Sequence, residues 1–284
     1  MESKGIHMMI DGGSTSKKDV AKYQLVPFLS YEGIGALDAV ILTHEDEDHM
    51  SGILELMGMM EERRSNIRIR NLILPDIGEA SKGDNYRMLE AKAAGLEIPT
   101  SYVKQGDEIN LDAIGKSFNP FSINGRAAGT APDSKDLRIK CIGPVPKMVT
   151  DEPNAYSTIL LLKCGDFSGL FTGDVEGTGQ DNLKDYIRSN PDEFKNLTLL
   201  KVAHHGSGYT TDEEFLELTR PQISLISCGV DNRYGHPHKE LVERLENIGT
   251  GIYRTDKSGA ITLELRHSKL IVDTFIEDMH VNDE

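Results

Sequence analysis

The chain has 284 residues, 38% hydrophobic and 27% charged, which is enough for one sizeable core and excludes a disordered or low-complexity chain. No apolar run reaches the roughly 20 residues that cross a bilayer, and no basic segment followed by an apolar stretch opens the sequence, so neither a membrane span nor a signal peptide is expected. The net charge of -15 opposes casual binding of polyanions, while the scattered Cys141, Cys164 and Cys228 argue against a disulfide framework or thiolate metal site and predict a reducing, cytoplasmic setting.

In chain order, Met8-Met9-Ile10 reads as a strand that runs into a tight turn, Asp11-Gly12-Gly13. Ala39-Val40-Ile41-Leu42 is a short buried strand, and residues 51–64 place Ile53, Leu54, Met57 and Met60 on one helical face. Asn71 to Leu74 form a strand stopped at Pro75, and residues 85–94 a helix capped by Gly95. Residues 111–146 are dense in Gly, Pro, Ser and Asn, apart from the strand-like 137–142, and predict a surface excursion that ends in a strand. A hairpin over 158–162 and 169–172 ends at Gly173-Asp174, and buried strands follow at 197–203 and 223–228. Helices are expected at 180–189, 212–219 and 238–247, and strands at 260–265 and 270–274 close the chain. Short buried strands mixed with amphipathic helices imply an α/β chain, with sheets covered by helices in one domain over 1–284.

The strongest chemical signal is Thr43-His44-Glu45-Asp46-Glu47-Asp48-His49, directly after a buried strand and before an apolar-faced helix. Imidazoles and carboxylates bind divalent cations, and two of each fall within six residues, where a turning backbone directs alternate side chains into one pocket. A solvated acidic loop would account for Glu45 and Glu47 but poorly for His44 and His49. Three weaker features share the same placement at strand ends: Asp11-Gly12-Gly13, Gly173-Asp174, and His204-His205-Gly206. Each alone reads as an ordinary turn or a solvated histidine pair.

Together these segments resemble the metallo-β-lactamase superfamily, and more closely the branch of ComEC-type competence proteins and phosphorylcholine esterases. The family's HxHxDH stands here as His44-x-Asp46-x-Asp48-His49, and the resemblance runs from about residue 8 to about residue 265 through Asn154-Ala-Tyr-Ser157, Thr172-Gly173-Asp174, Lys201-Val-Ala-His204-His205-Gly206-Ser207 and Tyr234-Gly235-His236-Pro237. It implies an αββα sandwich of two mixed sheets flanked by helices, lacking the first strand pair and leaving a sheet edge for a second copy or a partner protein to cover. It implies that His44 and Asp46 hold one divalent ion, that Asp48, His49 and His205 hold the other, and that Asp174 bridges them, with zinc or manganese as the pair. Asp11 would orient a ligand imidazole, and His204 would face the substrate, as would His236, which could also act as a general acid. The family's usual histidine ahead of the bridging acid has no equivalent; Asn154 and Ser157 stand in that segment.

Two divalent ions and Asp46, Asp48 and Asp174 leave the site near +1, which suits a phosphate ester. The expected activity is hydrolysis of a phosphodiester, in a small molecule or a nucleic acid, by a metal-bound hydroxide with Asp48, His204 and His236 in the catalytic set. A lactone, thioester or amide hydrolase is the alternative within enzymes, and a metal-stabilised partner subunit the alternative outside them. Lys201 reads as solvent-facing or capping a strand, and Arg233 as a surface residue.

Overall fold

The computed structural model describes residues 6–109, 137–195, 197–266 and 269–276. Most of the predicted excursion over 111–146 lies outside the described residues, as do His267 and His280. The strands are β1 (Met8–Ile10), β2 (Ala36–Leu37), β3 (Ala39–Ile41), β4 (Arg68–Ile69), β5 (Leu72–Pro75), β6 (Thr100–Val103), β7 (Glu108–Ile109), β8 (Arg138–Gly143), β9 (Ile159–Cys164), β10 (Phe167–Phe171), β11 (Leu199–Lys201), β12 (Ile223–Ile226), β13 (Gly251–Arg254), β14 (Ile261–Arg266) and β15 (Lys269–Thr274). One sheet runs β1-β3-β5-β6 and is parallel throughout. The other runs β13-β12-β11-β10-β9-β8-β7, parallel from β13 to β10 and antiparallel beyond.

The apolar runs are continuous because both faces of each central strand are covered. Side chains alternate across a strand. In the first sheet Val40, Leu42, Leu72 and Leu74 therefore meet the outer helices, while Ala39, Ile41 and Ile73 turn inward. The outer layer there is α1 (Val26–Tyr31), α2 (Glu47–Glu61) and α3 (Asp84–Gly95), which bury Leu29, Ile53, Leu56, Met57 and Leu89. On the second sheet the outer layer is α4 (Gly177–Ser189), α5 (Pro191–Phe194), α6 (Glu213–Thr219) and α7 (Lys239–Asn247), which bury Leu183, Ile187, Phe194, Phe215, Leu216, Leu241 and Leu245. Between the sheets, Ala39, Ile41, Ile73 and Val103 face Ile109, Ile139, Cys141 and Leu160. Three apolar layers around two sheets make the expected αββα sandwich.

β14 and β15 form a hairpin separate from both sheets. Among the described residues no strand pairs with the outer side of β1, and no helix is long and apolar enough to cross a membrane.

One boundary matters for the site. The sequence pattern predicts a helix over 51–64, but α2 begins at Glu47 with Asp46 as its N-cap. Apolar periodicity starts only at Met50, so it cannot reveal a first turn of acids. Glu47 and Asp48 are favoured there by the positive end of the helix. Asp48 and His49 are thus rigid helical residues.

Candidate metal centre

Five strand ends converge at one edge of the sandwich. Asp11 follows β1, Thr43 and His44 follow β3, Asp174 follows β10, His204 and His205 follow β11, and Ser227 follows β12. The first turn of α2 adds Asp48 and His49. Asp11 sits at φ +57° and accepts hydrogen bonds from Thr43 N (2.8 Å), Thr43 Oγ1 (2.7 Å) and His49 Nδ1 (2.8 Å). Its loop is tied to α2 by Gly12 N donating to His49 O at 2.8 Å.

These contacts set the imidazole tautomers. Thr43 Oγ1 spends its only proton on Asp11, so at 3.1 Å from His44 Nδ1 it must accept, which places the His44 proton on Nδ1. His49 Nδ1 donates to Asp11, and His205 Nδ1 donates to Ser227 O at 2.7 Å. All three rings thereby direct Nε2 at one small volume. His49 Nε2 lies 3.2 Å from both His205 Nε2 and Asp174 Oδ2, and His205 Nε2 lies 3.4 Å from Asp48 Oδ2 and from Asp174 Oδ2.

Two sets of donor atoms lie within 4.8 Å of one another: His44, His49 and Asp174, and Asp48, His49 and His205. Asp46, 50% exposed, stands beside them with Oδ2 3.5 Å from His44 Nε2. His44 Nε2 and Asp174 Oδ1 are buried without a hydrogen-bond partner. Orphaned polar atoms of this kind cost on the order of 1–3 kcal/mol each. A divalent cation satisfies both at once, so the residues fit a metal.

Burial opposes ionisation of Asp174, but the hydrogen bond from His49 and the charges of His49, His205 and His44 outweigh it and hold its carboxyl well below the usual range. Burial likewise disfavours protonated His49, yet its hydrogen bonds to Asp11 and Asp174 raise it to about 10. Without metal, a proton takes the cation's place at the centre of the cluster. The neighbouring imidazole of His44, 3.5 Å away, lowers Asp46, and that of His205, 3.4 Å away, lowers Asp48.

His204 and His205 both adopt left-handed backbone, at φ/ψ 46°/49° and 53°/18°. Such backbone costs a non-glycine residue roughly 1–2 kcal/mol, and it recurs where geometry serves a site. Here it splays adjacent rings, His205 into the cluster and His204 to one side. His204 Nδ1 donates to Glu176 Oε2 at 3.0 Å, Asn154 Nδ2 donates to Glu176 Oε1 at 2.9 Å, and His204 Nε2 stands 3.8 Å from Asp174 Oδ2. Asn154 therefore reaches the cluster only through Glu176 and His204. Ser157 Oγ accepts from Asp174 N at 3.2 Å and steadies the central acid.

His236 lies outside the cluster, its ring 5.5 Å from that of His204 and stacked on Tyr234. Burial and the neighbouring imidazoles of His204, His238 and His205 hold it down to about 4.

Three residues carry more of the site than sequence reasoning assigned them. Glu176 is one. Glu45 is another: its carboxylate accepts from Gly83 N (2.8 Å) and Tyr86 N (3.0 Å), so it caps α3 and anchors the motif loop. No local pattern links positions so far apart in sequence. The third is Lys201, read from sequence as solvent-facing or capping a strand. It instead lines a cavity of about 290 Å³ with Asp11, Asp48, His49 and His205. Alternation along β11 sends Leu200 to the outer core and Lys201 between the sheets.

Residues 1–58 match the model of the metallo-β-lactamase superfamily. The chain is 30% identical over 240 residues to the ComE operon protein 3 of Bacillus subtilis, covering 84% of this chain and 26% of that protein. It is 26% identical over 268 residues to the Recombination protein 2 of Haemophilus influenzae, covering 94% and 27%. The chain thus spans about a quarter of the length of these relatives. Among solved structures it is similar to the metallo-β-lactamase fold protein YhfI of Bacillus subtilis, with 13% identity, TM-score 0.47, and coverage of 89% of this chain and 85% of that one.

Proposed function

We propose that this chain, whose residues 1–58 match the model of the metallo-β-lactamase superfamily and whose described residues include a donor set suited to a metal-dependent hydrolase, cleaves phosphodiesters with two divalent ions, zinc or manganese. The observation that carries this reading is the convergence of the three Nε2 atoms of His44, His49 and His205 with Asp174 and Asp48, His44 Nε2 and Asp174 Oδ1 being left orphaned. His44 and Asp46 would hold one ion and Asp48, His49 and His205 the second, with Asp174 available to both. Bound there, such a pair brings water towards a pKa of about 7 and neutralises charge that develops on phosphorus oxygens.

The chain's own residues do the rest. Asp11, Thr43 and Ser227 fix the three ligand tautomers. Glu176, steadied by Asn154, aims His204 at the substrate side of Asp174. Three carboxylates against two divalent ions leave about one positive charge, which favours an anionic ester over a neutral lactone or lactam. Similarity to a protein named for recombination favours a nucleic-acid diester within that class.

The test is a side-by-side assay of protein reloaded with Mn²⁺ or Zn²⁺ on bis-p-nitrophenyl phosphate, single-stranded DNA, a lactone and a β-lactam. Diester cleavage lost in both Asp48→Ala and Asp174→Ala is expected. Turnover of the lactone or lactam alone would overturn the proposal, and bound metal with every substrate intact would favour a partner subunit.

A further inference from the structure

Lys201 is a cation in a place that disfavours one. On β11 it stands between Phe171 of β10 and Leu225 of β12, with its side chain on the inter-sheet side. Its Nζ donates to Val202 O at 3.0 Å, which uses one of three N–H groups. It forms no ion pair with any described carboxylate, and burial holds its pKa below the ordinary lysine value. Asp11 and Asp174 act on it only at longer range, and both are committed to Thr43 and the histidines. Lys201 lines the same cavity as Asp48, His49 and His205. A partly buried charge without an ion-pair partner is disfavoured, and cations bound alongside would add repulsion. A ligand anion that enters the cavity relieves both.

We infer that Lys201 is the anion-holding residue of this cavity beside the metal ligands, donating from Nζ to phosphate oxygens that the metal ligands do not reach. It selects phosphoesters whose arms are anionic and disfavours those with a cationic arm, such as a choline ester. The identity of the substrate rests on the phosphodiester reading, but the anion site does not.

Inorganic phosphate is the probe. Its affinity for the metal-loaded protein is measured by calorimetry for wild type, Lys201→Met and Lys201→Arg, together with metal content and melting temperature. Lys201→Met is expected to keep its metal and to melt no lower than wild type, since it replaces an unpaired charge by an apolar chain of similar length. Its phosphate affinity should fall at least tenfold, with Lys201→Arg retaining most of it. Wild-type phosphate affinity in Lys201→Met would overturn the inference. So would loss of metal, a lowered melting temperature or failure to fold in that variant, since each would make Lys201 a structural counter-ion of Asp11 and Asp174. Absence of phosphate binding in wild type would overturn it as well. Wild type that binds phosphate through Lys201 but cleaves no diester would sink the proposed function and leave this inference standing.

Discussion

Asp11→Asn removes one charge while keeping the side chain's shape and its tolerance of the left-handed backbone at φ +57°. In wild type Oδ1 accepts from Thr43 N, and Oδ2 accepts from Thr43 Oγ1 and His49 Nδ1. An amide cannot serve all three. If its oxygen faces Thr43 N, its NH₂ meets His49 Nδ1, the imidazole takes the other tautomer, and Nε2 carries the proton where a lone pair is needed. If the amide turns round, its NH₂ faces the Thr43 N–H and strands a partly buried donor. Losing a carboxylate behind a ligand histidine costs about 10–100-fold in metal affinity, or roughly 1.4–2.7 kcal/mol. Asp11 also favours the competing proton, since His49 without metal titrates near 10. The range is a net figure that already includes that competition, and the tautomer argument puts this variant at its upper end. Competition with a chromogenic chelator at pH 7 reads the affinity, with the fold checked by circular dichroism. Affinity within about twofold of wild type in a folded variant would refute the tautomer argument.

Other outcomes follow from the same geometry. Gly13→Ala places a Cβ 2.5 Å from Glu47 O and 2.7 Å from His49 N, so the first turn of α2 must shift; bound metal measured by atomic emission should drop below wild type, and full loading would contradict the packing. Glu45→Ala uncaps α3 and should cost about 1–2 kcal/mol in chemical denaturation, while Glu45→Gln recovers part of it. Glu176→Gln leaves every proposed ligand in place but loosens His204; kcat should fall about 10–100-fold at unchanged metal content, and unchanged kcat would remove the Glu176–His204 pair from the reaction. In metal-free protein the folded His49 value of about 10 exceeds the unfolded 6.5, so its stabilisation is complete below pH 6.5 and fades as pH rises towards 10. Melting of chelator-treated protein should decline across that window, and His49→Gln should flatten the decline. An equal slope in both would assign it to other groups.

The residue types of the candidate site were legible in the sequence because histidine and carboxylate side chains, both able to bind a divalent cation, cluster after buried strands. Ala39 to Leu42 ahead of His44, and Leu170 to Thr172 ahead of Asp174, carried that information locally. The layering was legible as well, since strands covered on both faces leave unbroken apolar runs at Val40, Ile41, Leu72 and Ile73. What sequence could not supply were relations across long separations. Glu45 caps a helix that begins at Asp84, and Glu176 orients His204 from 28 positions earlier in the chain. The start of α2 was obscured because its first turn is acidic and answers to the helix dipole rather than to apolar period. Lys201 shows the division most plainly. Its place on a strand follows from its neighbours, but whether the inward face there meets solvent, apolar core or a cavity depends on how the two sheets meet. The packing made it a wall of the cavity beside His49 and His205. Chemistry at a residue is written locally, whereas its surroundings are set by chain segments distant in sequence, and only the tertiary structure brings those together.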